Sequence, residues 1–297
     1  MNEKRMKNLG RLALFSAALL WGFSFVAMKN VLTNIPILYV LAIRLCGATL
    51  ILLPACARKV KRADKAYLSS GTVMGVALLL AYMFQTYGLR LTTPGKNAFL
   101  TSAYCVIVPF LYWAYVRKKP DKFNAIAALM CIAGIGFISL DGDFRIGAGD
   151  ALTIACGLFF AIHIIVTAKA VGRRDPIVLA VIQFAVAGVL SLILAIIFEP
   201  VPSGVTTADI WTMVFLTSVS TAGCIMMQIF GQKYTPPSQA AVIMTLESVF
   251  GAFSSVILHQ EVMSLRLLTG FALTFAAVII SETKLEFLHL SGKTGRP

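Results

Sequence analysis

The sequence predicts an all-α polytopic membrane protein, with ten transmembrane helices arranged as two inverted five-helix repeats. Three observations carry that prediction. Of 297 residues, 58% are hydrophobic and 13% charged, with a mean hydropathy of +0.83, whereas a soluble domain carries about 25% charged residues. Apolar runs of membrane-spanning length recur ten times. A stretch of the first half returns in the second at an offset of 143. The balance is the reverse of a disordered chain, and six Cys in this length are too few for a disulfide scaffold.

The spans fall near 12–29, 37–55, 68–89, 97–116, 123–140, 150–169, 176–198, 210–231, 239–258 and 265–282. Span 1 follows a charged start and imitates a signal peptide. No small-residue cleavage site closes it, however, and Trp21-Gly22-Phe23-Ser24 continues it to spanning length. Span 2 holds Arg44, and span 3 ends in Gly88-Leu89-Arg90-Leu91-Thr92-Thr93-Pro94. Span 4 follows Thr93-Pro94-Gly95, where Pro suits a helix start. Spans 5, 6 and 7 are apolar runs, the sixth opening on Gly149-Asp150. Span 8 ends in Gly231-Gln232-Lys233-Tyr234-Thr235-Pro236-Pro237, which also starts span 9, and span 10 closes the series. In hydrocarbon the backbone must satisfy its own hydrogen bonds, so runs of about 20 residues are helices. The alternation of a β-barrel strand is absent.

The net charge of +13 would suggest nucleic acid in a soluble protein. Here the charges sit in short loops, with no basic stripe carrying exposed stacking aromatics, so no nucleic-acid partner is expected. Twenty Lys and Arg fall on one side of the predicted membrane and five, Lys29, Arg90, Lys96, Arg145 and Arg266, on the other. That excess places both termini in the cytoplasm of a cell (inner) membrane protein. The Cys at 46, 56, 105, 131, 156 and 224 are scattered singly, with no metal-ligand spacing, and read as small core residues. No metal and no cofactor are expected.

The repeat pairs Gln85 with Gln228, Thr92 with Thr235 and Pro94 with Pro237 at the offset of 143. Nearer the start, an offset of 139 pairs Arg44 with Gln183. The repeats span 5–140 and 148–285, followed by a cytoplasmic tail at 286–297. Five spans per repeat is odd, so the second repeat enters from the opposite side and the two are related by a pseudo-two-fold axis in the membrane plane. That arrangement underlies alternating access in many secondary transporters, with the substrate site at the midplane.

The chain resembles the EamA-type transporters of the drug/metabolite transporter superfamily over nearly its whole length. The resemblance rests on Leu20-Trp21-Gly22-Phe23-Ser24-Phe25, Arg44, Gly149-Asp150, Leu246-Glu247-Ser248-Val249-Phe250 and His259-Gln260-Glu261. It implies ten helices and a central cavity lined mainly by spans 1, 3, 4, 6, 8 and 9, with spans 2 and 7 outside it. It also implies export of amino acids or other small metabolites. Phe160 stands where a Trp is common, and Val249 where Pro is usual.

Ionisable groups at membrane depth are costly and face protein or water. Glu247 is the one acidic residue near mid-span. It reads as a proton-coupling carboxyl or a counter-charge for a substrate amine, and otherwise as a hydrogen-bonded stitch between helices. His163 reads as a second proton-coupling group or a partner for a substrate carboxylate, and otherwise as a satisfied core residue. Arg44 reads first as a tie between helices. Asn97, Thr101 and Tyr104 share one face of span 4, as do Tyr82 and Gln85 on span 3. The expected substrate-binding set is Trp21, Ser24, Tyr82, Gln85, Thr101, Tyr104, His163, Gln228 and Glu247. Glu261 is expected to be an exposed helix-end group.

Gly147-Ala148-Gly149-Asp150 matches the G-x-G-D of intramembrane aspartyl proteases, but no second mid-span Asp exists to share a proton. No P-loop, H-E-x-x-H or G-x-S-x-G occurs. The chain is expected not to be an enzyme. The expectation is a secondary transporter for a small polar or amphipathic metabolite, with a lipid flippase, a multidrug exporter of the same fold, or a channel as alternatives. Its partners are a small-molecule substrate and the lipid bilayer, and a homodimer is compatible with the sequence.

Overall fold

The computed structural model describes residues 3–117, 119–139, 147–172 and 174–283. Lys118, Arg145, Arg173, Lys284, Lys293 and Arg296 of the charge count lie outside the described residues, as do the tail at 286–297 and the ends of both repeats. Among the described residues there is no strand. The first half comprises α1 (Glu3–Val31), α2 (Ile37–Val60), α3 (Lys65–Leu91), α4 (Pro94–Thr101), α5 (Tyr104–Val116) and α6 (Lys122–Ser139). The second comprises α7 (Ala148–Val171), α8 (Pro176–Phe198), α9 (Thr207–Phe215), a π-helical segment (Leu216–Gly223), α10 (Cys224–Tyr234), α11 (Pro237–Met244), α12 (Leu246–Ile257) and α13 (Leu265–Thr283).

Seven helical runs among the described residues are long and apolar enough to cross a membrane, counting Thr207–Tyr234 and Pro237–Ile257 as single runs. Apolar stretches in α6 and α13, Ala125–Gly134 and Leu265–Ala277, are shorter. Local chemistry sets the helix ends. Asp64 caps α3 by accepting from the Tyr67 amide, and Asp175 caps α8, whose first residue is Pro176. Thr206 and Asp209 form a reciprocal capping box at α9. The structure departs from expectation in three spans that the sequence reads as continuous. Span 4 breaks between α4 and α5, span 9 between α11 and α12, and span 8 passes through the π turn.

The two broken spans break alike. Ser102 and Thr245 stand 143 apart, and the hydroxyl of each donates to the carbonyl four residues back, on Ala98 and on Ala241. Such back-bonding bends a helix.

Packing between the halves also comes in matched sets. α2 packs on α8 and α6 on α13, while α3 on α7 is matched by α10 on α1. Small residues allow the last two. A Cβ on Gly149 would lie 3.1 Å from the Gly88 carbonyl, and one on Gly88 2.9 Å from the Gly149 carbonyl. Likewise a Cβ on Gly231 would lie 2.7 Å from the Gly10 carbonyl. Helices that gain no hydrophobic drive from lipid associate through such close backbone approach. The largest buried cluster runs from α1 through α2 and α3 to α8, with Leu41, Leu45, Leu78 and Phe184 at its centre.

One end of the bundle is tied by polar side chains acting on helix termini. Lys29 Nζ donates to the carbonyls of Leu89, Arg90 and Thr92 at the end of α3, at 2.7, 3.0 and 2.9 Å. A cation there satisfies groups that a helix C-terminus leaves unpaired. Glu199 accepts from the Leu38 amide at the start of α2. Thr92 donates to Asp150, whose other oxygen lies 4.0 Å from Lys96.

Glu261, expected to be exposed, is partly buried at the start of α4. It accepts from the Thr93 hydroxyl at 2.8 Å, and its carboxylate occupies the space that a Cβ on Gly95 would fill. Burial raises its carboxyl above the ordinary 4.5, opposed by Thr93, Ser255 and Lys96. A carboxyl raised on folding contributes most below its ordinary value, and that contribution declines as pH rises toward the folded one. Glu261→Gln keeps an acceptor and removes the charge. In thermal melts in detergent it should therefore match or exceed the parent at pH 7, with the advantage vanishing as pH falls to about 4.5. Glu261→Ala, which strands Thr93, should melt lower at both.

Candidate functional site

Between α1, α2, α3, α7 and the first turn of α12 the packing opens into a narrow cavity of about 40 Å³. Since one water needs about 10–15 Å³, it holds about three. Trp21, Ser24, Arg44, Tyr82, Gln85 and Glu247 supply its polar wall. Phe25, Met28, Leu89 and Phe160 supply most of the rest. The Phe160 ring meets Tyr82 and Tyr104 edge-on, at 5.9 and 6.2 Å between centroids.

Glu247 lies in the first turn of α12, just past the break, and is 6% exposed. Its Oε1 accepts from the Tyr104 hydroxyl at 3.1 Å. Tyr104 occupies the matching position in α5, 143 residues earlier, so the bond joins two residues that the repeat makes equivalent.

Gln85 reaches the cavity from α3, and its Nε2 donates to Thr101 Oγ1 at 3.2 Å. Asn97 Nδ2 donates to the Gln85 carbonyl at 3.1 Å and to Thr153 Oγ1 at 2.7 Å, tying α3 and α7 to α4. The Ser24 hydroxyl donates to the Trp21 carbonyl of its own helix.

Of the nine residues expected at the site, Trp21, Ser24, Tyr82, Gln85 and Glu247 line the cavity. Thr101 and Tyr104 stand one bond behind Gln85 and Glu247. Gln228 is buried in α10 at 3% exposure and does not reach the lining. His163, fully buried, lies behind the wall with its Nε2 2.9 Å from Gln183 Oε1 of α8, and outside the lining.

Arg44 is the residue that sequence reasoning underrated. From α2, a span expected outside the lining, its side chain reaches the cavity. Its Nε donates to Thr221 Oγ1 at 2.9 Å, and its guanidinium lies 4.9 Å from the Tyr82 ring centre. No carboxylate among the described residues forms an ion pair with it. The signal available in the sequence was the mid-span charge itself.

The cysteines are free, and two expected to be isolated meet in space, Cys105 Sγ lying 3.1 Å from Cys131 Sγ between α5 and α6. Among the described residues, no three His, Cys, Asp or Glu side chains group to hold a metal ion.

A helical bundle with several membrane-length apolar runs, closed around a polar internal cavity, is the build of a multi-pass membrane transporter. The chain belongs to the EamA-like transporter family, whose model matches residues 8–140 and again 147–283. It is similar to a protein of Archaeoglobus fulgidus described as an uncharacterized transporter, with 31% identity covering 91% of this chain and 85% of that one. It is also similar to the uncharacterized transporter YoaV of Bacillus subtilis, with 23% identity over 91% of this chain and 95% of that one. Among solved structures, one crystal structure of a protein superposes with a TM-score of 0.76 at 17% identity, over 94% of this chain and 98% of the other. That likeness concerns the fold.

Proposed function

We propose that the protein is a secondary transporter that exports a small amino-acid-like metabolite by alternating access through the midplane cavity. The observation that carries this reading is a guanidinium and a carboxyl group from opposite halves, Arg44 and Glu247, lining one cavity with aromatic walls. Two groups of opposite charge on a largely apolar surface suit a small zwitterion with an apolar side chain. Glu247 answers the ammonium group and carries proton coupling, while His163 acts indirectly, through Gln183. The matched packing of the halves supports ten spans in two inverted repeats, 5–140 and 148–285, and the Lys/Arg excess supports cytoplasmic termini in the inner membrane.

A lipid or drug substrate is the second reading. It draws on an outward-facing apolar groove beside α2 and α9, lined by Ile43, Gly47, Ile51, Ile210 and Val214. A channel is disfavoured by the small volume of the cavity.

The test is counterflow of labelled amino acids into proteoliposomes, with and without a pH gradient. Accumulation of one class supports the reading, whereas exchange of lipid or dye alone favours the second. Cysteine labelling in a background lacking the six native Cys checks the geometry. Gln85→Cys should react with a small maleimide and lose that reactivity when substrate is added. Gln228→Cys, buried in α10, should resist it in the conformation described.

A further inference from the structure

The π segment at Leu216–Gly223 gives Arg44 its setting. In a regular α-helix the Cys224 amide would donate to the Ser220 carbonyl. Here it donates to the carbonyls of Val219 and Thr221, so the Ser220 carbonyl loses its helical partner. Trp21 Nε1 takes that carbonyl at 2.8 Å. The neighbouring Thr221 hydroxyl donates to the Leu216 carbonyl five residues back, at 2.7 Å, and accepts from Arg44 Nε at 2.9 Å. Both side chains that grip the π turn, Trp21 and Arg44, line the cavity. π turns are rare and frequently mark functional sites.

Arg44 is 4% exposed, and its partners are a hydroxyl, the Met28 sulfur at 4.0 Å and the Tyr82 ring. A guanidinium has five N–H donors in a fork that matches a carboxylate. A buried cation held only by neutral groups lacks the counter-charge that normally offsets its desolvation. Its repeat mate Gln183 is neutral and faces His163, so the second half has no equivalent charge.

We propose that Arg44 recognises the carboxylate of the substrate, which takes the guanidinium from Thr221, and that the π turn thereby reports occupancy of the cavity. This rests on the zwitterion reading above. The exchange moves one hydrogen bond and makes no covalent change. Thr221 is the positioning residue. It holds the side chain in place while the cavity is empty and yields it to an anion, the stronger acceptor.

The experiment uses the full chain in detergent with Trp113→Phe and Trp211→Phe, both exposed positions, so that Trp21 is the sole fluorophore. L-phenylalanine and phenethylamine, which lacks the carboxylate, are titrated in parallel. Arg44→Lys should weaken phenylalanine binding about tenfold or more and leave phenethylamine within about twofold. Thr221→Val, which keeps the side-chain shape, should tighten phenylalanine about threefold without affecting the amine. It should also shift Trp21 emission in the empty protein, because the neighbouring carbonyl moves.

Equal weakening of both probes by Arg44→Lys, or no effect on either, overturns the assignment while the zwitterion reading stands. Should Arg44→Lys fail to fold, an unchanged phenylalanine affinity in Thr221→Val overturns it instead. If the parent binds neither probe, the zwitterion reading falls and takes this one with it.

Discussion

Counterflow of the proposed amino-acid-like substrate should fall about a hundredfold in Glu247→Gln, the loss expected when one partner of a buried charged contact is removed. The pH dependence should flatten in the same variant, since an amide carries no titrating proton. Gln retains the shape and an acceptor for the Tyr104 hydroxyl, which lies 3.1 Å from the carboxyl in the parent. A fall in transport with unchanged melting temperature therefore separates loss of charge from loss of packing. Tyr104→Phe provides the control. It leaves the carboxyl in place without its 3.1 Å donor, so it should reduce transport much less and keep the pH dependence. Transport by Glu247→Gln at the parent rate, with the parent's pH profile, would remove Glu247 from both binding and coupling.

The second large effect is structural. Gly22 of α1 faces α12 so closely that a Cβ there would sit 2.8 Å from the Gly251 amide nitrogen and 2.9 Å from the Phe250 carbonyl carbon, with the Phe250 Cβ nearer still. Those atoms are backbone or next to it and cannot rotate away. Overpacking a tight core costs about 1–3 kcal/mol when side chains can adjust, and more when the helices themselves must part. Gly22→Ala should lower the melting temperature sharply, and Gly22→Val should yield no monodisperse protein on size exclusion. Separating α1 from α12 also moves Trp21 away from Glu247, so any folded Gly22→Ala should transport poorly. A monodisperse, fully active Gly22→Val would show that α1 and α12 are not packed as described.

The class of fold is readable from composition and run length because the bilayer leaves the backbone few options. Glu247 is equally readable, since a lone carboxyl among apolar residues has no cheap explanation. Three features were hidden for physical reasons. The break at Ser102 and Thr245 depends on a hydroxyl turning back to its own helix, a choice that residue type alone does not make. The π turn is one residue of register within a run of small and hydroxyl-bearing residues that an α-helix would also accept. Arg44 was placed outside the cavity by the family resemblance, which sets span 2 apart from the lining, whereas its long side chain crosses to it. His163 and Gln228 illustrate the converse. Spacing assigns a residue to a helix, but which way that helix is rotated depends on packing partners such as Gln183.

The hydrogen bond between Tyr104 and Glu247 joins equivalent positions, 143 residues apart, so it links the two halves directly. On the alternating-access reading, identical residues at those two positions would leave the two oppositely facing states of equal energy there, like a balance with matched pans. A phenol in one pan and a carboxyl in the other breaks that parity. If the cavity alternates as proposed, the bias should depend on whether the carboxyl holds a proton. Exchanging the pair, Tyr104→Glu with Glu247→Tyr, should reverse which face of the cavity rests open.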